Sequence, residues 1–389
     1  MNNYNNLLRG KNLLLMGLYV LLLYTGHMTG FITIVSLFSI LVLLLIPCIR
    51  YFDTIGKWII AFTALYCLIG LITGFFSSFS SLLAFSLPLF PFYCFGSYVQ
   101  ENLKSRQYVL IFILVTVTLY SYEIYSTIIR SIATTGSVIN VTRLFYFNGD
   151  ESRRLTATLV GLGASLGFIG LPMALLLKDS KIKRMLFLAV FVCSLLTTIH
   201  LVNRTGLVVG VVTMLATCIY YYRSNRKKII FVIFFCVVLF LVLSYIGVIN
   251  QEVIDAYTKR NEADLSTGGD RTGRWGYAIE QLLFHPFGWA EHFGTTDVYV
   301  HNMWLDIAKV SGIIPFLLLV IPTFMSLIIL FRLMRKKQDI LVALFISLNT
   351  CFFLSCFVEP VYGGLHLFLY VMVWGMQNQY MRQQRFNWS

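Results

Sequence analysis

The chain has 389 residues, of which 58% are hydrophobic and only 12% charged, and its mean hydropathy is +0.77. A soluble domain needs more charge than this to wet its surface, so a soluble globular class is excluded. The formal net charge of +13 would suggest nucleic acid in a soluble protein; here it is expected to reflect Lys and Arg that fix membrane topology, with no nucleic-acid partner.

Apolar runs long enough to cross a hydrocarbon core of about 30 Å recur along the chain. In order they predict spans at Asn12–Tyr24, Phe31–Ile49, Trp58–Phe75, Leu82–Val99, Tyr108–Ile129, Leu155–Leu177, Met185–Leu201, Thr205–Tyr222, Ile229–Val248, Met303–Phe331, Ile340–Val358 and Gly364–Gln379. The expected fold class is all-α, a polytopic membrane helix bundle of about twelve transmembrane helices forming one integral membrane domain over residues 1–389. No small-residue cleavage site follows the first run, so a cleavable signal is not expected. Two long polar stretches interrupt the pattern, at 130–154 and at 249–302, the second large and partly helical.

The basic residues assign the sides. With the N-terminus placed inside, the inner segments collect Arg9/Lys11, Arg50/Lys57, Lys104/Arg106, Lys178 to Arg184, Arg223 to Lys228, Arg332 to Lys337 and Arg382/Arg385, twenty of the 30 Lys and Arg. Both termini are then cytoplasmic and both long loops lie outside. Of the ten that remain, eight are arginines: Arg130, Arg143, Arg153, Arg154, Arg204, Arg260, Arg271 and Arg274. Positive charge outside works against insertion, and a guanidinium grips phosphate or carboxylate oxygens in a planar fork. Anion binding and pairing with the loops' own acids are both compatible with each arginine taken singly.

The eight cysteines all fall in apolar runs, which argues against a disulfide framework. His285, His292 and His301 match no metal-ligand spacing, so no metal and no cofactor is expected. Glu262-x-Asp264 is only a faint echo of an acid pair, and no nucleotide-binding glycine pattern occurs. Gly163-x-x-x-Gly167 and Gly161-x-x-x-Ser165 are read as close helix packing.

Candidate chemistry concentrates in the polar stretches. Arg204 sits at the tip of a hairpin too short to clear the membrane, where a charge is either functional or snorkelling to headgroups. After the Gly268-Gly269-Asp270 turn a helix is expected from Arg271 to Leu283, with Trp275, Ile279, Leu282 and Leu283 as its docking stripe. Arg271 and Arg274 would share the opposite side with Ala278 and Gln281, at a helix N-terminus suited to a diphosphate. His301 and Asn302 open the next span, and Asn302, Asp306 and Lys309 would continue a polar face two turns into the outer leaflet. Glu359, before Pro360, and Glu123, on one face with Arg130, are candidate acids for the same cavity or for neutralising Arg204.

Gly273-Arg274-Trp275 through Ala278, the His285-Pro286 turn ending at Gly288, and His301-Asn302-x-x-Leu305 followed by Gly312 resemble motifs of the O-antigen ligase and polysaccharide polymerase superfamily. Asn203-Arg204-Thr205-Gly206 resembles that family's Ser-Arg-Thr/Gly element. The resemblance covers roughly residues 200–312, and the span count with one dominant late outer loop agrees with it. It implies metal-independent glycosyl transfer outside the cytoplasmic membrane, from an oligosaccharide carried on undecaprenyl diphosphate. Arg204, Arg271 and Arg274 would stabilise the leaving diphosphate, and His301 would deprotonate or orient the acceptor hydroxyl. Asn302 and Asp306 would position sugar or histidine. Arg154, in the arginine-rich first loop, would contact a second diphosphate, which favours an O-antigen or capsule repeat-unit polymerase. The alternatives are a ligase that passes the glycan to lipid A-core and a flippase for the lipid-linked oligosaccharide. Membrane lipids are the remaining expected partner.

Overall fold

The computed structural model describes residues 2–25, 31–74, 86–103, 105–139, 144–146, 154–178, 180–225, 271–289, 300–336, 338–358 and 364–386, with scattered positions between 227 and 258. The expected span Ile229–Val248 therefore lies mostly outside the described residues, as does much of the expected loop 249–302. The chain is a helical polytopic membrane bundle, with one short β-ribbon among the described residues. Six of its described helices are long and apolar enough to cross a membrane, and three shorter apolar helices accompany them.

The elements are α1 (Asn2–Thr25), α2 (Phe31–Leu45), α3 (Thr54–Ile72), α4 (Leu89–Asn102), α5 (Arg106–Thr135), β1 (Leu144–Tyr146), β2 (Arg154–Thr156), α6 (Ala157–Ser165), α7 (Gly170–Leu176), α8 (Lys181–His200), α9 (Arg204–Tyr221), α10 (Arg271–Phe284), α11 (Met303–Ser311), α12 (Ile313–Met334), α13 (Ile340–Val358) and α14 (Leu365–Phe386). Most ends follow from the residues there. Asp53, Ser180, Asn203 and Asn302 each accept a backbone N–H of the following turn, as N-caps do.

Three expected spans are corrected. The run Tyr108–Ile129 continues as helix to Thr135, so α5 takes in the first residues of the expected loop 130–154; the end of that loop pairs as β1 with β2, Tyr146 opposite Arg154. The run Leu155–Leu177 is not one helix, because a 3-10 turn at Leu166–Ile169 separates α6 from α7. The run Met303–Phe331 is also two helices, α11 and α12, broken at Gly312. Hydropathy alone cannot see that break. Gly312 has φ +81, and a Cβ there would stand 1.9 Å from the Pro286 carbonyl oxygen, which itself accepts the Ile313 N–H at 3.0 Å. Only glycine fits that elbow.

The chain divides into two compact units. The first comprises α1 to α4, the start of α5, α10 to α12 and α14. Its core is aromatic. Tyr19 stacks on Phe112 at 5.3 Å, Phe38 meets Phe92 at 5.2 Å, and Phe92 reaches Phe368 on α14 at 5.4 Å. Gly96 lets α4 lie directly on the α14 backbone at Met372. The starts of α3 and the ends of α4, α12 and α14 gather at one end of this unit. Arg50 pairs there with Glu101 at 3.0 Å, and Arg382 with Asp53 at 2.7 Å. Loop 285–289 and α11 sit at the other end of α12, about 33 Å away at 1.5 Å per residue.

The second unit holds the rest of α5, the ribbon, α6 to α9 and most of α13. Small hydroxyls join its helices, as close packing in a membrane favours. Ser121 donates to Gly163 O and Ser194 to Ala164 O, both at 2.7 Å, while Thr217 and Ser347 meet at 2.7 Å.

The elbow is testable. Gly312→Ala is expected to lower the thermal unfolding midpoint in detergent by several degrees, from a strained φ plus a clash, a cost of roughly 2–4 kcal/mol. Gly276→Ala on the exposed face of α10, where a Cβ meets nothing within 4 Å, is expected to leave it unchanged or raise it slightly. Equal effects of the two would remove the elbow's special status.

Candidate active site

In the first unit the site is built on α10, loop 285–289 and α11. Asn302 caps α11: its Oδ1 accepts the Trp304 and Leu305 N–H groups, both at 3.2 Å, and its Nδ2 donates to Phe357 O at 3.2 Å. The side chain is buried, and both its oxygen and its nitrogen are bonded to backbone. It is not the start of a polar stripe, because Asn302 itself is extended rather than helical. Asp306, one turn on, reaches back. Its Oδ1 accepts the Val300 N–H at 2.9 Å and its Oδ2 the Asn302 N–H at 3.3 Å.

Between those two amides stands His301, with φ +58. A non-glycine residue in the left-handed region costs of order 1–3 kcal/mol and persists only where its neighbours over-determine it. Here they do so on both sides: Asp306 holds Val300 N and Asn302 N, and Trp275 Nε1 donates to Val300 O at 3.1 Å. Trp275 in turn packs edge-on against Phe357 at 4.9 Å. The helix that carries Arg274 is thereby tied to the residue before His301. His301 itself is half-buried.

The docked face of α10 differs from expectation. Trp275 and Ala278 pack with Val300, Leu305 of α11, Trp289 and Phe316, and Leu282 is also buried. Ile279 is 53% and Leu283 72% exposed. A reading weighted by side-chain size overlooks Ala278, whose smallness is what lets the helices approach. Ala278 lies at the centre of the contact, so Arg274, one turn before it, flanks the docked face instead of opposing it, and is half-buried. Arg271 opens the same helix, described in backbone only. The His285-Pro286 turn has a structural role: Gly288, φ +100, would bring a Cβ to 2.8 Å from Lys309 O, and Trp289 N donates to Lys309 O at 2.8 Å.

Arg204 belongs to the second unit, at the first turn of α9, half-exposed. The residue two before it, Val202, has φ +48, and Asn203 caps the helix through Gly206 N at 3.0 Å. The tip is braced by His200, which the sequence reading passed over. Its Nδ1 lies 2.9 Å from Val138 O and its Nε2 3.3 Å from Ser131 Oγ. Ile139, Ile199 and Val202 pack there, so residues 131–139 and the Arg204 hairpin share one end of that unit. Buried polar groups joining adjacent spans were the only sequence signal for His200. Arg154 lies in β2, described in backbone only. Arg143, Arg153, Arg260, Asp270, Glu262, Asp264, Glu291, His292 and Glu359 lie outside the described residues. Among the described residues no three His, Cys, Asp or Glu side chains group as metal ligands would.

Burial pushes the Asp306 carboxyl up from 3.8 to about 6, against the two backbone N–H groups and the neighbouring His301 and Lys309, which pull it down. The folded protein therefore holds this proton more tightly than the unfolded chain. The stability that Asp306 contributes is complete below about pH 4 and is lost as pH rises through about 6. The thermal midpoint of wild type relative to Asp306→Asn is expected to fall over that window, by the equivalent of at most 2–3 kcal/mol; a difference that stays flat would contradict the assignment.

Comparison with curated proteins gives no match. Residues 189–320 match the family model described as O-antigen ligase, a segment that contains Arg204, Arg271, Arg274, His301, Asn302 and Asp306 and leaves Arg154 and Glu359 outside. The match covers about a third of the chain, and over this segment the chain is similar to the O-antigen ligase family.

Proposed function

We propose that the protein is an O-antigen or capsule repeat-unit polymerase, moving a glycan from undecaprenyl diphosphate to an acceptor sugar hydroxyl on the outer side of a bacterial inner membrane, with both termini cytoplasmic. The observation that carries the reading is the over-determined left-handed backbone at His301, because such strain concentrates where a side chain must be aimed. His301 takes the proton from the acceptor hydroxyl as its oxygen bonds to the anomeric carbon. The bond from that carbon to the diphosphate breaks, and undecaprenyl diphosphate leaves with the electron pair. Arg274 and Arg271, at the start of α10, stabilise the charge that develops on it, helped by the helix N-terminus. Arg204 keeps the diphosphate-binding role that the family resemblance implies, and Arg154 and Glu359 remain proposed substrate contacts. The proposed reaction uses no metal or nucleotide, since the diphosphate ester already supplies the driving force.

Asn302 and Asp306 are assigned here to positioning His301 and not to the sugar. Both side chains are occupied by backbone groups on either side of the histidine. A second reading, transfer of the finished glycan to lipid A-core, is favoured by the similarity to the O-antigen ligase family. The reactive groups would be the same and only the acceptor would differ. No finding supports the flippase alternative.

Gene disruption followed by gel analysis of surface glycan separates these readings. Lipid A-core capped with single repeats identifies a polymerase, accumulated unattached polymer a ligase, and loss of all external repeats a flippase. In the complemented strain, His301→Ala and Arg274→Ala are expected to reduce glycan formation by on the order of 10²-fold or more, with protein level in the membrane fraction unchanged. Wild-type glycan from either variant refutes the assigned roles.

A further inference from the structure

At the end of the first unit farthest from His301, a cleft of about 320 Å³ opens between the start of α3 and the ends of α12 and α14. Its mouth carries Asp53, Arg332 and Arg382, and its wall is formed on α12 by Ile329, Ile328 and Met325. These three lie three, four and seven residues before Arg332, on one helix face. The wall therefore runs about 10 Å from the guanidinium into the apolar part of the span. It is charged at the rim and apolar below.

The carboxylate does not cancel that charge. Asp53 already accepts from Gly56 N at 3.0 Å, Tyr93 OH at 2.8 Å, Asn378 Nδ2 at 2.6 Å and Arg382 Nη2 at 2.7 Å. Four donors fill its acceptor sites. Arg382 spends one of its N–H groups on this pair, and Arg332 makes no hydrogen bond or ion pair among the described residues. One net positive charge remains, presented by two forks that suit phosphate oxygens. An ion-sized anion would use only the rim; a phospholipid would use the rim and the wall together.

We propose that this cleft is a binding site for an anionic phospholipid, its phosphate held by Arg332 and the remaining N–H groups of Arg382, and its acyl chain laid along Ile329, Ile328 and Met325. The membrane face rich in Lys and Arg is where such lipids are recognised by basic pockets between helices. The site is independent of the glycosyl-transfer reading.

The test uses the full chain, delipidated in neutral detergent, and follows the thermal midpoint while phosphatidylglycerol, cardiolipin, phosphatidylcholine or inorganic phosphate is titrated in. Phosphatidylglycerol and cardiolipin are expected to raise the midpoint saturably, whereas phosphatidylcholine and inorganic phosphate are not. Arg332→Gln should weaken half-saturation by about tenfold. Arg335→Gln, three residues on and not lining the cleft, should not. Native mass spectrometry should show one retained phosphatidylglycerol on wild type and its loss in Arg332→Gln, a readout that holds even if that variant is less stable. The proposal is overturned if phosphatidylcholine serves equally, if inorganic phosphate alone reproduces the shift, or if the two variants behave alike.

Discussion

The Asp306 carboxylate, bridging the amides of Val300 and Asn302, is the contact on which the candidate site depends. It pins both peptide groups that flank His301 and so fixes the direction in which the imidazole leaves the backbone. A strained φ is tolerated there because two hydrogen bonds to one carboxylate, a tryptophan bond to the Val300 carbonyl and a doubly used asparagine cap all act within three residues. Each is worth about 1 kcal/mol, more where the acceptor is charged, so together they exceed the strain. The carboxyl is itself held partly out of water, which raises its proton affinity. Burial gives the clamp its rigidity and makes its charge sensitive to mildly acidic pH.

The same device occurs twice. Among the described residues the non-glycine residues with positive φ are Val202 and His301, and each directly precedes an asparagine that caps a helix. Val202 is β-branched, the kind of residue least at ease in that region. In one case the strained residue carries the candidate base, and in the other it turns the chain so that Arg204 opens α9. Both lie inside the matched family domain. A helix that must start abruptly, with a functional group at its first turn, needs its entry angle set by something stiffer than a loop. A left-handed residue followed by an asparagine cap does that in two residues.

The helical membrane class was legible because hydropathy is a strong, additive signal, while three of the expected spans needed correction. Asn302 and Asp306 were legible as important but not in role: a helical wheel puts them on one face, whereas the cap turns Asn302 onto the backbone and Asp306 back toward residues 300–302. The break at Gly312 was invisible to hydropathy, since Val310–Phe331 carries no charge and the cause of the break, Pro286, lies far back in the chain. The docking face of α10 was misjudged for a related reason. Burial there is decided by the smallness of Ala278 and by a partner that supplies Val300 and Leu305, not by the largest apolar side chains. Arg382 was read only as a marker of sidedness and Asp53 not at all, because their pairing with Tyr93 and Asn378 is a tertiary fact no local pattern announces.

α12 joins these two sets of constraints. At its start, the Gly312 elbow locks onto Pro286, which fixes loop 285–289 and with it the C-terminal end of α10. At its end, Arg332 stands beside the polar knot of Asp53, Tyr93, Asn378 and Arg382. The elbow fixes the start of α12, and along its length Gln377 Nε2 of α14 donates to Ser326 O, so the helix is tied to the element that carries the knot even with Pro322 inside it. The helix that carries Arg274 is thus referenced to a rigid transmembrane strut by the elbow and to the His301 strap by Trp275. In the proposed reaction the long guanidinium side chains can adapt to a mobile diphosphate, whereas the proposed base must be held in place. The structure puts its strain and its densest hydrogen bonding at the histidine, and leaves the arginines on the flank of the docked face.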